Sequence, residues 1–229
     1  TFGAGDTTQL ITVAITDDEI FEGVENFNVT LNNPSNATIT DSLGVGTISD
    51  TEDLPGLAIN DVSVSETAGT AIFTVTRTGS TTQTATVDFT TADNTATSAN
   101  DYTAQTGSLT FGAGDTTQLI TVAITDDAIF EGVENFNVTL SNPTNTTITD
   151  SLGVGTISDT EDLPGLAIND VSVSETAGTA IFTVTRTGST TQTATVDFTT
   201  ADNSATSAND YTAQTGSLTF GAGDTTQLI

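Results

Sequence analysis

The acidic side chains of this chain are grouped, and their types suit the binding of hard cations. Residues 54–162 contain fourteen Asp and Glu residues, and nine of these fall in a few short segments. Carboxylate oxygens without any His or Cys select calcium or magnesium over transition metals. The nine candidate ligands are Glu66, Asp101, Asp126, Asp127, Glu131, Glu134, Asp159, Glu161 and Asp162.

These nine carboxylates are expected to meet at one end of a β-sandwich. The segment TDDAIFEGVE joins two predicted strands, and the segment DTED follows the last strand. Alternate connections of such a sandwich share an end. Two like charges about 5 Å apart repel by about 3 kcal/mol at an effective dielectric of about 20. The cluster therefore predicts bound cations, and nine carboxylates suit more than one calcium ion.

Other polar features are interpreted more simply. The hydroxyl of Tyr102, a predicted core aromatic, is expected to bond to the backbone. The FGAGD motif lacks a following helix, which predicts a tight turn rather than a phosphate site. Thr-rich strand faces are typical of β-structure, the alternative being a flat surface that binds ice or sugars. The remaining acids of the repeat are interpreted as solvated surface charges: Asp61, Asp88, Asp93, Asp115 and Asp150.

The elements that must position these residues recur with a period of 109 residues, since TFGAGDTTQLI begins at Thr1, Thr110 and Thr219. Residues 1–120 differ from residues 110–229 at only five positions. The acidic stretch ISDTEDLPG is the natural linker, because proline cannot continue a ladder. The pattern predicts three units, which are the C-terminal part of a repeat (1–53), a complete repeat (54–162) and the N-terminal part of another (163–229).

The sequence of a complete repeat predicts an all-β fold. Apolar and polar residues alternate with a period of two, and turn residues recur between the apolar runs. This pattern predicts tandem seven-stranded antiparallel Greek-key sandwiches. The predicted strands are Leu57–Val64, then those carrying Ala71, Phe73 and Val75; Ala85, Val87 and Phe89; Leu109 and Phe111; Ile120, Val122 and Ile124; Phe136, Val138 and Leu140; and finally Val154–Ile157.

Charge excludes several classes of partner. Two Arg residues stand against thirty Asp and Glu, which gives a formal net charge of −28. Nucleic acids and anionic membranes are bound through cationic side chains, and Arg77 and Arg186 cannot supply such a surface. No apolar run approaches the roughly 20 residues of a membrane span. We therefore expect neither nucleic-acid binding nor direct membrane insertion.

Three motifs in order make the repeat resemble the Calx-beta family. They are VSVSETAGTAIFTVTRTG, TADNTATSANDYTAQTGSLTFGAGD and ITDDAIFEGVENFNVTL, and the resemblance covers the whole period. It implies an immunoglobulin-like sandwich whose loops at one end bind a cluster of calcium ions. It also implies that the candidate carboxylates are ligands, with Asp162 the least well matched, together with the main-chain carbonyl of Ile129.

The resemblance extends these assignments to the partial repeats. The family often has a third acidic residue directly after the Asp pair. That position is occupied by Ala128 in the complete repeat and by Glu19 in the preceding copy. The corresponding positions in the partial repeats are Asp17, Asp18, Glu22, Glu25, Asp50, Glu52, Asp53, Glu175 and Asp210.

Three functional classes follow. The favoured one is a calcium-stiffened rod or filament module of a long extracellular, bacterial-type surface protein, which serves adhesion, matrix or fibre formation. Its partners would be neighbouring repeats, or other copies of the chain through strand exchange or edge contact. The alternative is a regulatory calcium sensor coupled to another domain. An enzyme, such as a glycosidase using paired carboxylates, is disfavoured because the chain lacks His, Lys and Cys.

Overall fold

The computed structural model describes residues 1–229, and almost all of its regular structure is β-strand. Short 3-10 turns at Glu66–Ala68 and Glu175–Ala177 are the only helical elements. In chain order the strands are β1 (Val24–Thr30), β2 (Leu43–Ser49), β3 (Gly56–Ile59), β4 (Val62–Ser65), β5 (Thr70–Thr78), β6 (Ala85–Asp93), β7 (Thr106–Phe111), β8 (Thr117–Ala123), β9 (Val133–Thr144), β10 (Thr147–Asp150), β11 (Leu152–Ser158), β12 (Gly165–Ile168), β13 (Thr183–Thr187), β14 (Ala194–Thr199), β15 (Thr215–Phe220) and β16 (Thr226–Leu228).

Two sheets form the complete repeat, and the predicted all-β sandwich is confirmed. One sheet has the strand order β10-β3-β5-β8, and the other has the order β4-β11-β9-β6-β7. Their inner faces share one hydrophobic core of 18 buried residues. The strand β9 leads from one sheet to the other. It pairs with β6 and β11 in the five-stranded sheet, and the chain then turns into β10 of the four-stranded sheet.

The first predicted strand is in fact two strands in different sheets. The chain crosses between the sheets at Asn60 and Asp61. Asn60 accepts a bond from the N–H of Thr74 at 2.6 Å, whereas Asp61 accepts one from the N–H of Val154, in the other sheet, at 2.8 Å. The prediction of purely antiparallel strand pairing was therefore wrong at two sheet edges, since β4 runs parallel to β11 and β3 runs parallel to β10.

Aromatic packing centres the core on Phe136. Its ring stacks on Tyr102 with centroids 4.4 Å apart, and it meets Phe73 edge-on at 5.8 Å. Its cross-strand partner on the neighbouring strand β11 is Gly155, where an added Cβ would lie 2.4 Å from the Phe136 ring. Because real Cβ atoms do not approach so closely, the large aromatic residue requires glycine opposite it.

The partial repeats keep much of this pairing but lack the strands that would complete it. Leu57 is fully buried in the complete repeat, whereas the equivalent Leu166 is 36% exposed. The segment TQLITVA forms β8 in the complete repeat, but the identical residues 8–14 form no strand. No helix in the structure is long and apolar enough to cross a membrane.

Candidate metal site

Two groups of three carboxylates lie at one end of the complete sandwich, which we call the acidic end. The linker cluster contains Glu66, Asp159 and Glu161, and the loop cluster contains Asp101, Glu131 and Glu134. Within each cluster, one oxygen from each residue lies within 4.8 Å of the others. The predicted convergence of the strand ends therefore brings six of the nine candidate carboxylates into two compact sets.

Local hydrogen bonds hold several of these carboxylates in place. Asp101 accepts the N–H of Thr97 at 2.6 Å, and Glu66 accepts the N–H of Thr160 at 2.9 Å. In both residues the other carboxylate oxygen accepts no such bond. A side chain fixed through one oxygen leaves the second available as a ligand, which is the arrangement a preorganised metal site needs.

Asp159 anchors the linker to the loop between β8 and β9. Its carboxylate accepts the backbone N–H groups of Gly132 at 2.7 Å and Glu161 at 2.8 Å, and also that of Glu131. Burial alone would raise the pKa of Asp159, but these three donors outweigh it and hold the pKa at about 2. This aspartate is therefore ionised under ordinary conditions and fixes where the linker leaves the sandwich.

Mutual repulsion is evident in the other acids. Partial burial, followed by the charges of Asp101, Glu134 and Asp127, raises the pKa of Glu131 to about 7. Contact with the Glu66 carboxyl, followed by burial, raises the pKa of Glu161 to about 7. Burial and the Asp101 charge also raise the pKa of Glu134. The clusters therefore hold negative charge that no side-chain cation compensates.

The available space and ligand chemistry suit calcium. Glu66 and Asp101 are 5% and 7% exposed, so each buries a carboxylate without a cationic partner. A cavity of about 10 Å³ lies between the clusters and is bordered by residues of both, including Glu66, Asp101 and Asp159. That volume admits a particle about the size of one water molecule. An all-oxygen donor set with several carboxylates is the set that Ca²⁺ prefers.

Three candidate carboxylates lie outside the two clusters. Asp126 is exposed, and Asp127 accepts the N–H of Ile129 at 2.7 Å while its charge acts on Glu131. Asp162 is exposed and takes part through its backbone, since its carbonyl accepts the N–H of Ser189 at 3.0 Å. Their assignment as ligands, like that of the Ile129 carbonyl, stays a prediction.

The partial repeats each carry part of the same set. In residues 1–53 the carboxylate of Asp50 accepts the N–H of Gly23 at 2.8 Å and that of Glu22. In residues 163–229 the carboxylate of Asp210 accepts the N–H of Thr206 at 2.8 Å. The predicted residues of the first part are Asp17, Asp18, Glu22, Glu25, Asp50, Glu52 and Asp53, and those of the second are Glu175 and Asp210.

Asp93, like Asp61, is a structural carboxylate that the interpretation of the sequence missed. Asp93 is not merely a solvated charge, because it accepts the Tyr102 hydroxyl at 2.6 Å and the N–H of Ser98 at 2.8 Å. The expected backbone partner of Tyr102 was therefore wrong. Burial and the bond to Asp93 raise the pKa of this tyrosine to about 12. Asp93 and Tyr102 stand nine residues apart, and no short motif indicated that they pair.

The acidic end of each repeat also contacts the repeat that follows it. The carbonyl of Ala128, which directly follows the Asp126–Asp127 pair, accepts the hydroxyls of Ser189 at 2.8 Å and Thr191 at 2.7 Å. The preceding copy repeats this contact at Glu19 with Ser80 and Thr82, at 3.0 and 2.7 Å. We call this contact the joint. Because the acceptor is a backbone carbonyl, the change from Glu19 to Ala128 leaves the joint intact.

The opposite end of the sandwich contains the only cationic side chain of the repeat. Arg77 is 3% exposed and donates through Nη2 to the carbonyl of Gln83 at 2.8 Å. Arg186 is 4% exposed in its own partial repeat. Because both residues are buried, no arginine side chain is presented to a nucleic acid or an anionic surface.

Comparison with known proteins agrees with this arrangement. The model of the Calx-beta domain matches residues 1–49, 49–161 and 158–229. Extracellular matrix organizing protein FRAS1 of Mus musculus is 34% identical over 163 residues, which is 68% of this chain and 4% of that protein. Sodium/calcium exchanger 1 of Canis lupus familiaris is 46% identical over 78 residues, which is 34% of this chain and 8% of that protein.

Two solved structures match parts of this chain. "Crystal structure of CBD12 from CALX1.2" is 26% identical with a TM-score of 0.46, over 76% of this chain and 73% of that one. "Crystal structure of Apo-form Calx CBD1 domain" is 26% identical with a TM-score of 0.45, over 47% of this chain and 98% of that one. The relatives named above are mammalian proteins and give the expectation of a bacterial source no support.

Proposed function

Because this chain belongs to the Calx-beta domain family, whose model matches its whole length, we propose that it is a calcium-binding structural module. Each complete repeat binds more than one Ca²⁺ ion at its acidic end, through the linker cluster and the loop cluster. The bound ions make the joint between neighbouring repeats rigid. The resulting tandem array acts as a stiff, non-catalytic spacer of a larger extracellular protein.

The observation that carries this proposal is that the acidic end and the joint share one loop. Residues 126–134 contain two loop-cluster carboxylates and also the Ala128 carbonyl that holds the next repeat. The linker cluster includes Asp159 and Glu161, which lie in the connection to that repeat. Neutralising these carboxylates orders the loop and the linker together, so calcium binding and the order of the joint are coupled.

An extracellular setting is supported by one relative. The name of FRAS1 places that protein in the organisation of extracellular matrix. Extracellular calcium modules typically bind with dissociation constants of about 10⁻⁴ to 10⁻³ M, whereas sensors bind in a range of about 10⁻⁷ to 10⁻⁵ M. We propose that this chain works in the first range, with neighbouring repeats as its partners.

Calorimetric titration and small-angle scattering of the full chain test this proposal. Calcium addition should raise the melting temperature and increase the largest dimension, and a chelator should reverse both effects. The joint variant Ser80→Ala/Thr82→Ala/Ser189→Ala/Thr191→Ala should keep calcium binding but lose most of the change in shape. The matched control Thr90→Ala/Thr199→Ala changes threonines outside the joint. A melting temperature and a largest dimension that do not change with calcium would contradict the proposal.

A second candidate function is regulatory calcium sensing. The observation that favours it is the 46% identity with sodium/calcium exchanger 1 over 78 residues. Near-identical tandem copies argue for the structural role, because a sensor requires sites tuned to a narrow range and a coupled effector. Micromolar affinity in the calorimetric titration would favour the sensor, and affinity near 10⁻³ M would favour the spacer.

A further inference from the structure

One broad face of each repeat carries no charge on three of the four strands of its sheet. It is the outward side of the sheet containing β3, β5 and β8, and we call it the neutral face. Its central apolar pair, Ile72 and Leu119, is 49% and 58% exposed. Asp150 on the edge strand β10 lies only at its rim. The outward positions are Ala58, Thr70, Ile72, Thr74, Thr76, Thr78, Thr117, Leu119, Thr121 and Ala123.

The register of the sheet makes this face a continuous array. Ile72 lies opposite Thr121, and Thr74 lies opposite Leu119. Ile72 and Leu119 are therefore diagonal neighbours about 7–8 Å apart. They form a raised apolar centre in a flat surface of threonine methyl and hydroxyl groups. The outward face of the other sheet differs, because it carries Asp88 on β6, which Asn142 contacts at 3.0 Å.

The neutral face also recurs along the chain. In the last part, Ile181 and Leu228 occupy the positions of Ile72 and Leu119 and are 56% and 63% exposed. None of the five differences between the copies falls on this face. Two of them, at Ser141 and Thr144, fall instead on β9 in the other sheet. An array of repeats therefore presents the same uncharged surface once per period.

Charge limits how two such chains can approach. With a formal net charge of −28, contact through an acidic surface would set carboxylates against carboxylates, which opposes association. The neutral face avoids that cost, because a copy placed against it meets only Thr, Ala, Ile and Leu. It also offers exposed aliphatic area, whose removal from water favours association.

The size of the face sets how many repeats are needed. Strands β3, β5 and β8 contain 4, 9 and 7 residues, with a rise of about 3.3 Å per residue and a spacing of about 4.8 Å between neighbouring strands. The neutral face therefore offers about 300 Å² per repeat, whereas a stable specific interface buries about 800 Å² on each partner. About three consecutive repeats on each chain reach that area.

We propose that the neutral face is a lateral self-association surface whose partner is a second copy of this chain. Contact through one repeat is weak, and contact through consecutive repeats adds up along the array. The proposal is independent of calcium stiffening, because no metal-site residue or joint residue belongs to the face. It requires only that the sandwich is folded.

Single-cysteine variants of the full chain give a direct test, because the chain contains no cysteine. Thr74→Cys places a thiol at the centre of the neutral face, and Thr139→Cys places one on the outward face of the other sheet. With a short bismaleimide in calcium-containing buffer, we expect Thr74→Cys to form cross-linked dimers at least tenfold faster. Equal rates for the two variants would overturn the proposal.

Sedimentation equilibrium of the same chain provides the second measurement. Leu119→Glu should weaken self-association at least tenfold, and the matched control Thr139→Glu should change it less than twofold. Circular dichroism and calcium titration should be the same for both variants, which separates this result from any failure of the metal site. A chain that stays monomeric at millimolar concentration would overturn the proposal. Binding of the face to ice or polysaccharide without self-association would also overturn it.

Discussion

Replacing Glu131 by glutamine should change stability in opposite directions with and without calcium. Glu131 faces Asp101 and Glu134 in the loop cluster, with one oxygen of each residue within 4.8 Å of the others. Because Glu131 is largely exposed, the dielectric constant of water, about 80, is the appropriate choice, and each pair then repels by about 0.9 kcal/mol. Removing the charge removes two such repulsions, or about 2 kcal/mol.

The assay is thermal unfolding of the full chain at pH 8. In a chelator, Glu131→Gln should raise the melting temperature of the complete repeat by about 8 °C, since 1 kcal/mol corresponds to roughly 4 °C for a domain of about 110 residues. In saturating calcium the same variant should melt lower than the wild type, because it loses a charged ligand. We expect a loss of affinity of about a hundredfold, which removes about 2.7 kcal/mol of stabilisation and outweighs the gain of about 2 kcal/mol.

Two comparisons make this prediction specific. Asp150→Asn, which removes a carboxylate outside both clusters, should change the melting temperature little in either condition. At pH 5 the stabilising effect of Glu131→Gln in chelator should disappear, because a carboxyl with a pKa of about 7 is already protonated there. A Glu131→Gln variant that is destabilised in chelator at pH 8 would refute the reasoning, since its charge would then be stabilising without any metal.

Three further predictions concern pH and the core. In chelator the wild type should be more stable at pH 5 than at pH 8. The reason is that Glu131 and Glu161 have pKa values of about 7 in the folded state against 4.5 in the unfolded state. The folded state therefore binds more protons between those pH values, and its stability falls as the pH rises through them. Melting curves that do not change over this range would contradict it, and calcium should remove the effect. Gly155→Ala should destabilise the complete repeat by about 1–3 kcal/mol, because the new Cβ would meet the Phe136 ring at 2.4 Å. Urea unfolding measures this loss. Gly44→Ala is the milder comparison, since its new Cβ would meet nothing closer than 3.8 Å. Tyr102→Phe should lower the free energy of unfolding by about 1–2 kcal/mol, since it removes the hydrogen bond to Asp93 from a buried ring. Tyr211→Phe removes the equivalent hydrogen bond from a less buried ring. An equal loss of stability in both variants would argue against the role of burial.

Tandem repetition gives a direct comparison of sequence with tertiary context. The segment TQLITVA forms strand β8 beside β5 in the complete repeat, whereas the identical residues 8–14 form no strand. Backbone N–H and C=O groups of a strand need a neighbouring strand, so alternating apolar residues alone do not produce one. The pattern predicted which residues could pair, and the partner decided whether they did.

The fold class, the period and the ligand chemistry of the candidate metal site could be predicted from the sequence alone. Period-two alternation indicated a sandwich, and carboxylates without His or Cys indicated a hard cation. Only the tertiary structure decided that six carboxylates form two clusters, because ligand positions depend on backbone N–H groups distant in sequence, such as Thr160 for Glu66. It also decided that Ala128 holds the next repeat through its carbonyl, since every residue has this group and no sequence pattern distinguishes it.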